Sequence, residues 1–452
     1  MLETLERING FIWGVPGLLL IVAAGICLSV CTGFVQLRWF PRALRSFLQQ
    51  FSDEKKDGVE TPYRALCTAL AATVGTGNLA GVAGAIAIGG PGAVFWMWIC
   101  GILGMMTKFA EAGLAVRYRT KNSKGEWVGG PMYMISGGLG MGWKPLAYLY
   151  AFFGVVASLG VGSATQINAL LGGVESVASE FGFEISVTLR IVIGLIIAIL
   201  IVWVLAGGAG AIGSVAERMV PIAAMGYIVL GCTALILCRR SIPGAFYAIF
   251  VGAFYPRAVT GGVVGSIFIA VRVGAARGVF TNEAGMGTAA IAHAAANVKD
   301  PAEQGLMGIM EVFLDTLVIC TISALVILTS GVQIPYGKDV GIALTSEAFG
   351  AIFGRWVTIP IALALCCFAV ATVLGWSLYG IRCAQFLFGV NVLEKFICLQ
   401  GAMVMVGAVL GTGTVWVLSE MVNGLMAIPN LIALMILTPE VSKLTKRRTP
   451  IG

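Results

Sequence analysis

Six stretches of this chain carry no charged side chain over long runs: 11–37, 65–107, 191–216, 219–238, 316–337 and 356–381. About 20 consecutive apolar residues cross the hydrocarbon core of a bilayer, so the pattern predicts an all-α polytopic membrane protein. Dividing the chain at charges and turn residues gives eleven transmembrane helices: 11–37, 64–88, 92–116, 145–171, 186–206, 213–238, 261–296, 304–330, 356–381, 393–411 and 415–438. The GGPG at 89–92 splits the longest run, because two helices need a turn there.

Two spans depart from a continuous apolar pattern. The second carries Gly75-Thr-Gly77-Asn78 and the seventh carries Phe280-Thr-Asn-Glu-Ala-Gly285-Met-Gly287-Thr288. Each is a G-x-G with a hydrogen-bonding side chain beside it. A third G-x-G, Gly411-Thr-Gly413-Thr414, sits at a turn and reads as a packing groove. Five spans starting at each of the first two copies give repeats over 64–238 and 261–440, preceded by one extra helix within 1–40 and followed by a basic tail, 441–452. An odd number of spans per copy inverts the second relative to the first. Interrupted helices at corresponding places of an inverted repeat point to the binding site of a secondary transporter.

Composition agrees with a membrane protein. Charged residues make up 11% of the chain, against about 25% in soluble domains. The 61 glycines are about twice the usual share and suit close helix packing in lipid, where small residues let backbones approach. The eleven cysteines, with Cys27, Cys31, Cys67 and Cys366 in apolar runs, lack paired loop spacing, so neither a disulfide framework nor a zinc site is expected. No phosphate loop or Ser-His pairing is visible, and His293 is the only histidine. An enzyme and an organic cofactor are therefore not expected.

The net charge of +7 comes mostly from loop clusters, which argues for a membrane surface rather than nucleic acid. Arg38, Arg42, Arg45, Lys55 and Lys56 follow the first span, Arg117, Arg119, Lys121 and Lys124 the third, and Lys443, Lys446, Arg447 and Arg448 the last. They alternate with an acidic loop holding Glu175, Glu180 and Glu184, which places the N-terminus outside and the C-terminus in the cytoplasm. Arg239, Arg240 and Arg257 run against that assignment. MLETLERING lacks the basic lead of a cleaved signal, so the first span is expected to be retained.

A helix opened in mid-membrane exposes amides and carbonyls that cost several kcal/mol each if left unsatisfied. An amino acid and a sodium ion supply complementary partners: amides take the carboxylate, and carbonyl, hydroxyl or amide oxygens take the cation. The intramembrane charges are candidates by default. Lys108 and Glu111, at i and i+3, read as an ion pair or as snorkelling side chains near the inner end of the third span. Glu283 lies in the second break and reads as a gate or clamp pairing with Arg272 or Arg277. Asp315 is a candidate gate or proton carrier, and His293 a weaker proton relay. Gln166 on the fourth span reads either as a substrate contact or as an interhelical hydrogen bond.

TVGTGNLAGVAGAIAIGGPGAVFWMW, GGPMYM (129–134), RGVFTNEAGMGTA (277–289) and NGLMAIPNLIAL (423–434) resemble the alanine or glycine:cation symporter family, also called the sodium:alanine symporters, over nearly the whole chain. The resemblance implies a leucine-transporter-like fold, one helix ahead of a five-plus-five inverted repeat, in a prokaryotic cytoplasmic membrane. It implies sodium-coupled uptake of alanine or glycine by alternating access. Asn78 and Thr281 would give oxygens to one sodium beside the substrate carboxylate. Backbone of Ala71 and Val74 with the hydroxyl of Thr372 would form a second site, thinned because Val373 stands where another hydroxyl often occurs. Thr73, Gly75, Thr76 and Gly77 would line the carboxylate end, while Phe280 and Met286 would cap a pocket for a methyl or hydrogen side chain. A symporter of the same fold driven by protons or carrying another small solute is the alternative, and a channel is a further one.

Overall fold

The computed structural model describes residues 7, 9–50, 60–338, 341–409 and 413–446. Lys55, Lys56, Gly411 and the tail from Arg447 lie outside them. The described chain is helical apart from one small hairpin. In order, the helices are α1 (Asn9–Thr32), α2 (Phe40–Gln49), α3 (Pro62–Thr73), α4 (Gly77–Gly89) and α5 (Gly92–Arg117). The antiparallel hairpin β1 (Thr120–Lys121) and β2 (Trp127–Val128) follows. Then come α6 (Met141–Glu180), α7 (Val187–Ala206), α8 (Gly208–Leu237), α9 (Ile242–Phe254), α10 (Ile267–Asn282) and α11 (Thr288–His293). The chain closes with α12 (Pro301–Thr329), α13 (Ala343–Phe353), α14 (Arg355–Phe388), α15 (Val390–Val409), α16 (Gly413–Ile436) and α17 (Thr438–Lys446).

Among the described residues, eight helices are long and apolar enough to cross a membrane. Two bent pairs, α3 with α4 at 55° and Glu420–Ile436 with α17 at 57°, raise the number to as many as ten. The expected seventh span is broken into α10, of 16 residues, and α11, of 6, each too short to cross a membrane alone. Helix starts follow local chemistry. Thr61 accepts the amide of Arg64 ahead of Pro62, Ser186 that of Leu189, and Asp300 that of Ala302 ahead of Pro301, each satisfying an amide that has no partner inside the helix.

Packing uses the glycines as anticipated. A Cβ on Gly92 would stand 2.1 Å from the carbonyl carbon of Gly252, so α5 and α9 meet backbone to backbone. A Cβ on Gly407 would stand 2.4 Å from the carbonyl oxygen of Ala164, which brings α15 equally close to α6. In lipid such contact replaces the hydrophobic drive that assembles soluble cores.

The loops sort to two ends of the bundle. At one end the amide of Asn297 bonds the carbonyl of Glu60 at 2.7 Å, Arg382 meets Glu126 at 3.0 Å, and Arg117 meets Glu440 at 2.7 Å. At the other end, a Cβ on Gly90 would touch Thr260, and Gly337 bonds the carbonyl of Ala87 at 2.9 Å. Arg257 belongs to this second end, where it donates to the carbonyl of Gly265 at 2.7 Å.

Candidate functional site

Both suspected interruptions are real breaks, and they meet. α3 stops at Thr73, Val74 is extended, and a wide helical turn over Gly77–Gly81 leads into α4. Asn78 holds this break closed on itself, its Oδ1 accepting the amide of Gly75 at 2.8 Å. In the second break Glu283 takes a left-handed conformation at φ 53°, and Gly285 and Gly287 follow at 98° and 75°. Gly287 tolerates no side chain in any case, since a Cβ would lie 2.3 Å from Pro131. A Cβ on Gly77 would come 3.2 Å from the methyl of Thr281, which measures how closely the two breaks face one another.

Asp315 on α12 joins them. Asn78 Nδ2 donates to Asp315 Oδ1 at 2.6 Å, Thr316 Oγ1 donates to Asp315 Oδ2 at 2.8 Å, and Asn282 Nδ2 donates to Thr316 at 3.0 Å. Asp315 and Asn78 are both fully buried. No basic side chain lies within ion-pair distance of Asp315 among the described residues. A buried carboxylate with only neutral donors around it is costly, and a cation is the partner that relieves that cost. No group of three or more His, Cys, Asp or Glu is arranged to hold a metal among the described residues. The donor set is one carboxylate with amide, hydroxyl and backbone oxygens, the ligand chemistry of a hard cation.

The second break hangs on α5. Glu111 Oε1 accepts the amides of Gly285 and Gly287, each at 3.0 Å, and Nδ2 of Asn430 at 2.7 Å. Asn430 Nδ2 also reaches the carbonyl of Gly285 at 2.9 Å, and the hydroxyl of Tyr150 donates to the carbonyl of Met286 at 3.1 Å. Lys108 does not pair with Glu111 as its spacing suggested. Its Nζ lies 2.9 Å from Glu311 on α12, fully buried, so snorkelling is excluded as well. The other oxygen of Glu311 meets His293 Nε2 at 3.0 Å, and Gln304 meets His293 Nδ1 at 2.6 Å.

A cavity of about 20 Å³, room on the scale of one water, lies between the breaks, lined by Ala72, Thr73, Gly75, Thr76, Gly77, Val161, Gln166, Phe280, Glu283, Thr372, Trp376 and Asn423. Thr76 donates to Gln166 Oε1 at 3.4 Å, and Gln166 Nε2 donates to the carbonyl of Val161 at 3.2 Å. Thr372 stands against the first break, where a Cβ on Gly75 would come 2.9 Å from its hydroxyl. Ala71 and Val74 are buried at the same break.

Two further expectations need correction. Glu283 pairs with neither Arg272 nor Arg277; its carboxylate accepts Trp376 Nε1 at 3.1 Å and Thr288 Oγ1 at 2.6 Å. Arg272 is exposed instead. Met286 is fully buried but is absent from the cavity lining, where Trp376 and Asn423 stand. Glu111, Tyr150, Trp376, Asn423 and Asn430 were given no such part by the sequence, although both asparagines fall inside NGLMAIPNLIAL.

A larger cavity of about 730 Å³ opens at the end of the bundle that carries Glu60, and Arg64, Glu126, Arg218 and Arg382 also line it. Burial pushes the Glu60 carboxyl up to about 7 against the pull of Arg64. Burial also raises that of Glu126, but Arg382 beside it brings the net value below the ordinary range. Arg119, at the start of the hairpin, donates to the carbonyls of Ala294, Ala296 and Val298, just beyond α11.

The sequence profile of the sodium:alanine symporter family matches residues 1–449. The sodium/alanine symporter AgcS of Methanococcus maripaludis is 40% identical over 446 residues, 98% of this chain and 96% of that protein. An uncharacterized transporter of Haemophilus influenzae is 40% identical over 445 residues, with 98% and 95% covered. A probable sodium/glutamine symporter, GlnT of Bacillus subtilis, is 34% identical, with 97% and 89% covered. Among solved structures, MhsT in complex with L-phenylalanine has the same fold, with a TM-score of 0.57 at 13% identity over 87% of this chain and 99% of that one. Matched end to end and built around two broken helices, the chain belongs to the sodium:alanine symporter family, whose members are membrane transporters that couple amino acids to a cation and not enzymes.

Proposed function

We propose that this protein imports alanine, glycine or both with sodium, by alternating access, across a prokaryotic cytoplasmic membrane. The observation that carries the reading is Asn78, which ties the Gly75 amide of one break to Asp315, a buried carboxylate without a cationic partner among the described residues. Sodium takes oxygens from Asn78, Thr281 and Asp315, and a second ion takes backbone of Ala71 and Val74 with the Thr372 hydroxyl. The substrate carboxylate faces the amides from Gly75 to Gly77. Asp315 thus serves as a cation ligand rather than a gate.

The order of helices supports the inverted repeat. A broken pair, a long helix, a 40-residue helix and two more helices, α3 to α8, are followed by a broken pair, a long helix, a long helix and two more, α10 to α16. Eleven spans result when each break counts once and α1 stands ahead. With the hairpin end in the cytoplasm, the N-terminus lies outside. The cavity of about 730 Å³ is then the inner vestibule.

Uptake of radiolabelled alanine and glycine into proteoliposomes tests the reading. Saturable, concentrative uptake under a sodium gradient is expected, with none under lithium, choline or a proton gradient alone. Linear, unsaturable flux overturns it in favour of a channel, and proton-driven uptake removes sodium.

The small cavity bounded by Trp376 and Phe280 supports a substrate with little or no side chain. Replacing Trp376 with leucine is expected to let glutamine compete with alanine about tenfold better, as a hydrophobic wall discriminates by about 1–3 kcal/mol per methylene. Competition curves against labelled alanine provide the measurement, and an unchanged profile removes Trp376 from the selectivity wall.

A further inference from the structure

Asn423 sits on α16 in an otherwise apolar turn, Met421-Val-Asn-Gly-Leu-Met. It is 2% exposed, lines the cavity between the breaks, and its Oδ1 has no hydrogen-bond partner among the described residues. Burying an acceptor without a donor is unfavourable, so a donor brought into the cavity would be bound there. The other polar side chains of the cavity are already engaged. Gln166 is bonded to Thr76 and Val161, Thr372 to the carbonyl of Phe368, and Glu283 to Trp376 and Thr288. Among the described residues, Asn423 Oδ1 is the buried side-chain oxygen of the cavity lining that makes no hydrogen bond.

We infer that Asn423 is a substrate-binding residue whose side-chain oxygen accepts an N–H of the substrate's ammonium group. The inference rests on the amino acid symport proposed above and adds to it a second pole of recognition. An amino acid is a zwitterion. Its carboxylate accepts hydrogen bonds and belongs with the amides of the first break. Its ammonium donates three and accepts none, so it belongs with the free oxygen of Asn423, near the carboxylate of Glu283. A contact of this kind reads the amine rather than the side chain. It therefore disfavours N-methyl amino acids, which have one N–H fewer and a methyl group in its place.

The test compares whichever of alanine or glycine the wild-type protein carries with its N-methyl derivative, as uptake into proteoliposomes under an inward sodium gradient. Wild type is expected to favour the parent amino acid at least tenfold in kcat/KM. Asn423→Ala and the near-isosteric Asn423→Leu are expected to raise KM for the parent tenfold to a hundredfold and to bring the two substrates within about threefold of each other. Asn423→Asp, which keeps an acceptor, is expected to retain the discrimination. Equal transport of both substrates by wild type overturns the inference, so the outcome does not hang on the variants folding. Unchanged discrimination in Asn423→Ala or Asn423→Leu overturns it too. Either result leaves symport standing, whereas wild-type protein that moves neither amino acid with sodium refutes the symport reading itself.

Discussion

Replacing Asn78 with alanine is expected to lower sodium-driven alanine uptake at least about a hundredfold in protein that still folds. The side chain does two jobs at one point. Its oxygen holds the Gly75 amide at 2.8 Å and its nitrogen holds Asp315 at 2.6 Å. Truncation removes a proposed cation ligand, lets the first break relax, and leaves a buried carboxylate with one donor fewer. A hydrogen bond to a charged group contributes about 1.5–3 kcal/mol, and each 1.4 kcal/mol is about a factor of ten. Losing this bond together with the one to Gly75 amounts to about two orders of magnitude. Uptake by the purified, reconstituted variant is the measurement, with helical content by circular dichroism as the control for folding. Wild-type rates would remove Asn78, and with it the proposed sodium site, from the mechanism.

The spans were legible because long uncharged runs have few alternatives to crossing lipid. The breaks were legible because glycine beside Thr or Asn in such a run does not suit a continuous helix. The boundaries were less so. The fourth helix was expected over 145–171 and runs from Met141 to Glu180, continuing through Gly172, Gly173 and Glu175. The hairpin at Thr120–Val128, α9 and α13 were not foreseen, because short elements between apolar runs leave little periodicity. Within the site, Gly75, Thr76, Gly77, Gln166 and Phe280 do line one cavity. Glu111 was misread for a definite reason: a helix-local rule pairs it with Lys108, while the partner of Lys108 stands 203 positions away on α12. Asn423 and Asn430 had no local signal at all, since an amide in an apolar helix looks alike whether it bonds a neighbour, a break or a substrate. Met286 looked like a lid because it adjoins Gly285 and Gly287, yet the left-handed residues of the break carry its side chain away from the cavity lining.

Glu111→Ala is expected to abolish transport and also to lower the melting temperature, while Glu111→Gln keeps most of both. One oxygen of Glu111 holds the amides of Gly285 and Gly287 and the side chain of Asn430. Alanine leaves the amides of Gly285 and Gly287 buried without an acceptor, where each costs about 1–3 kcal/mol, and leaves Asn430 with the Gly285 carbonyl alone, enough to let the second break collapse or rewind. The second oxygen has no hydrogen-bond partner among the described residues, so glutamine can keep its carbonyl on the amides while its nitrogen replaces an oxygen that was itself unpaired. The pair of variants separates two roles that a single truncation confuses. If Glu111 acts by holding the break, glutamine resembles wild type in uptake and in thermal unfolding. If its negative charge is what matters, as a counterweight to Lys108 at the next turn of α5, glutamine fails as alanine does. The hydrogen-bond count favours the first outcome, because Lys108 already has its ion-pair partner in Glu311 at 2.9 Å, whereas the amides of Gly285 and Gly287 make their hydrogen bonds to Glu111 alone among the described residues.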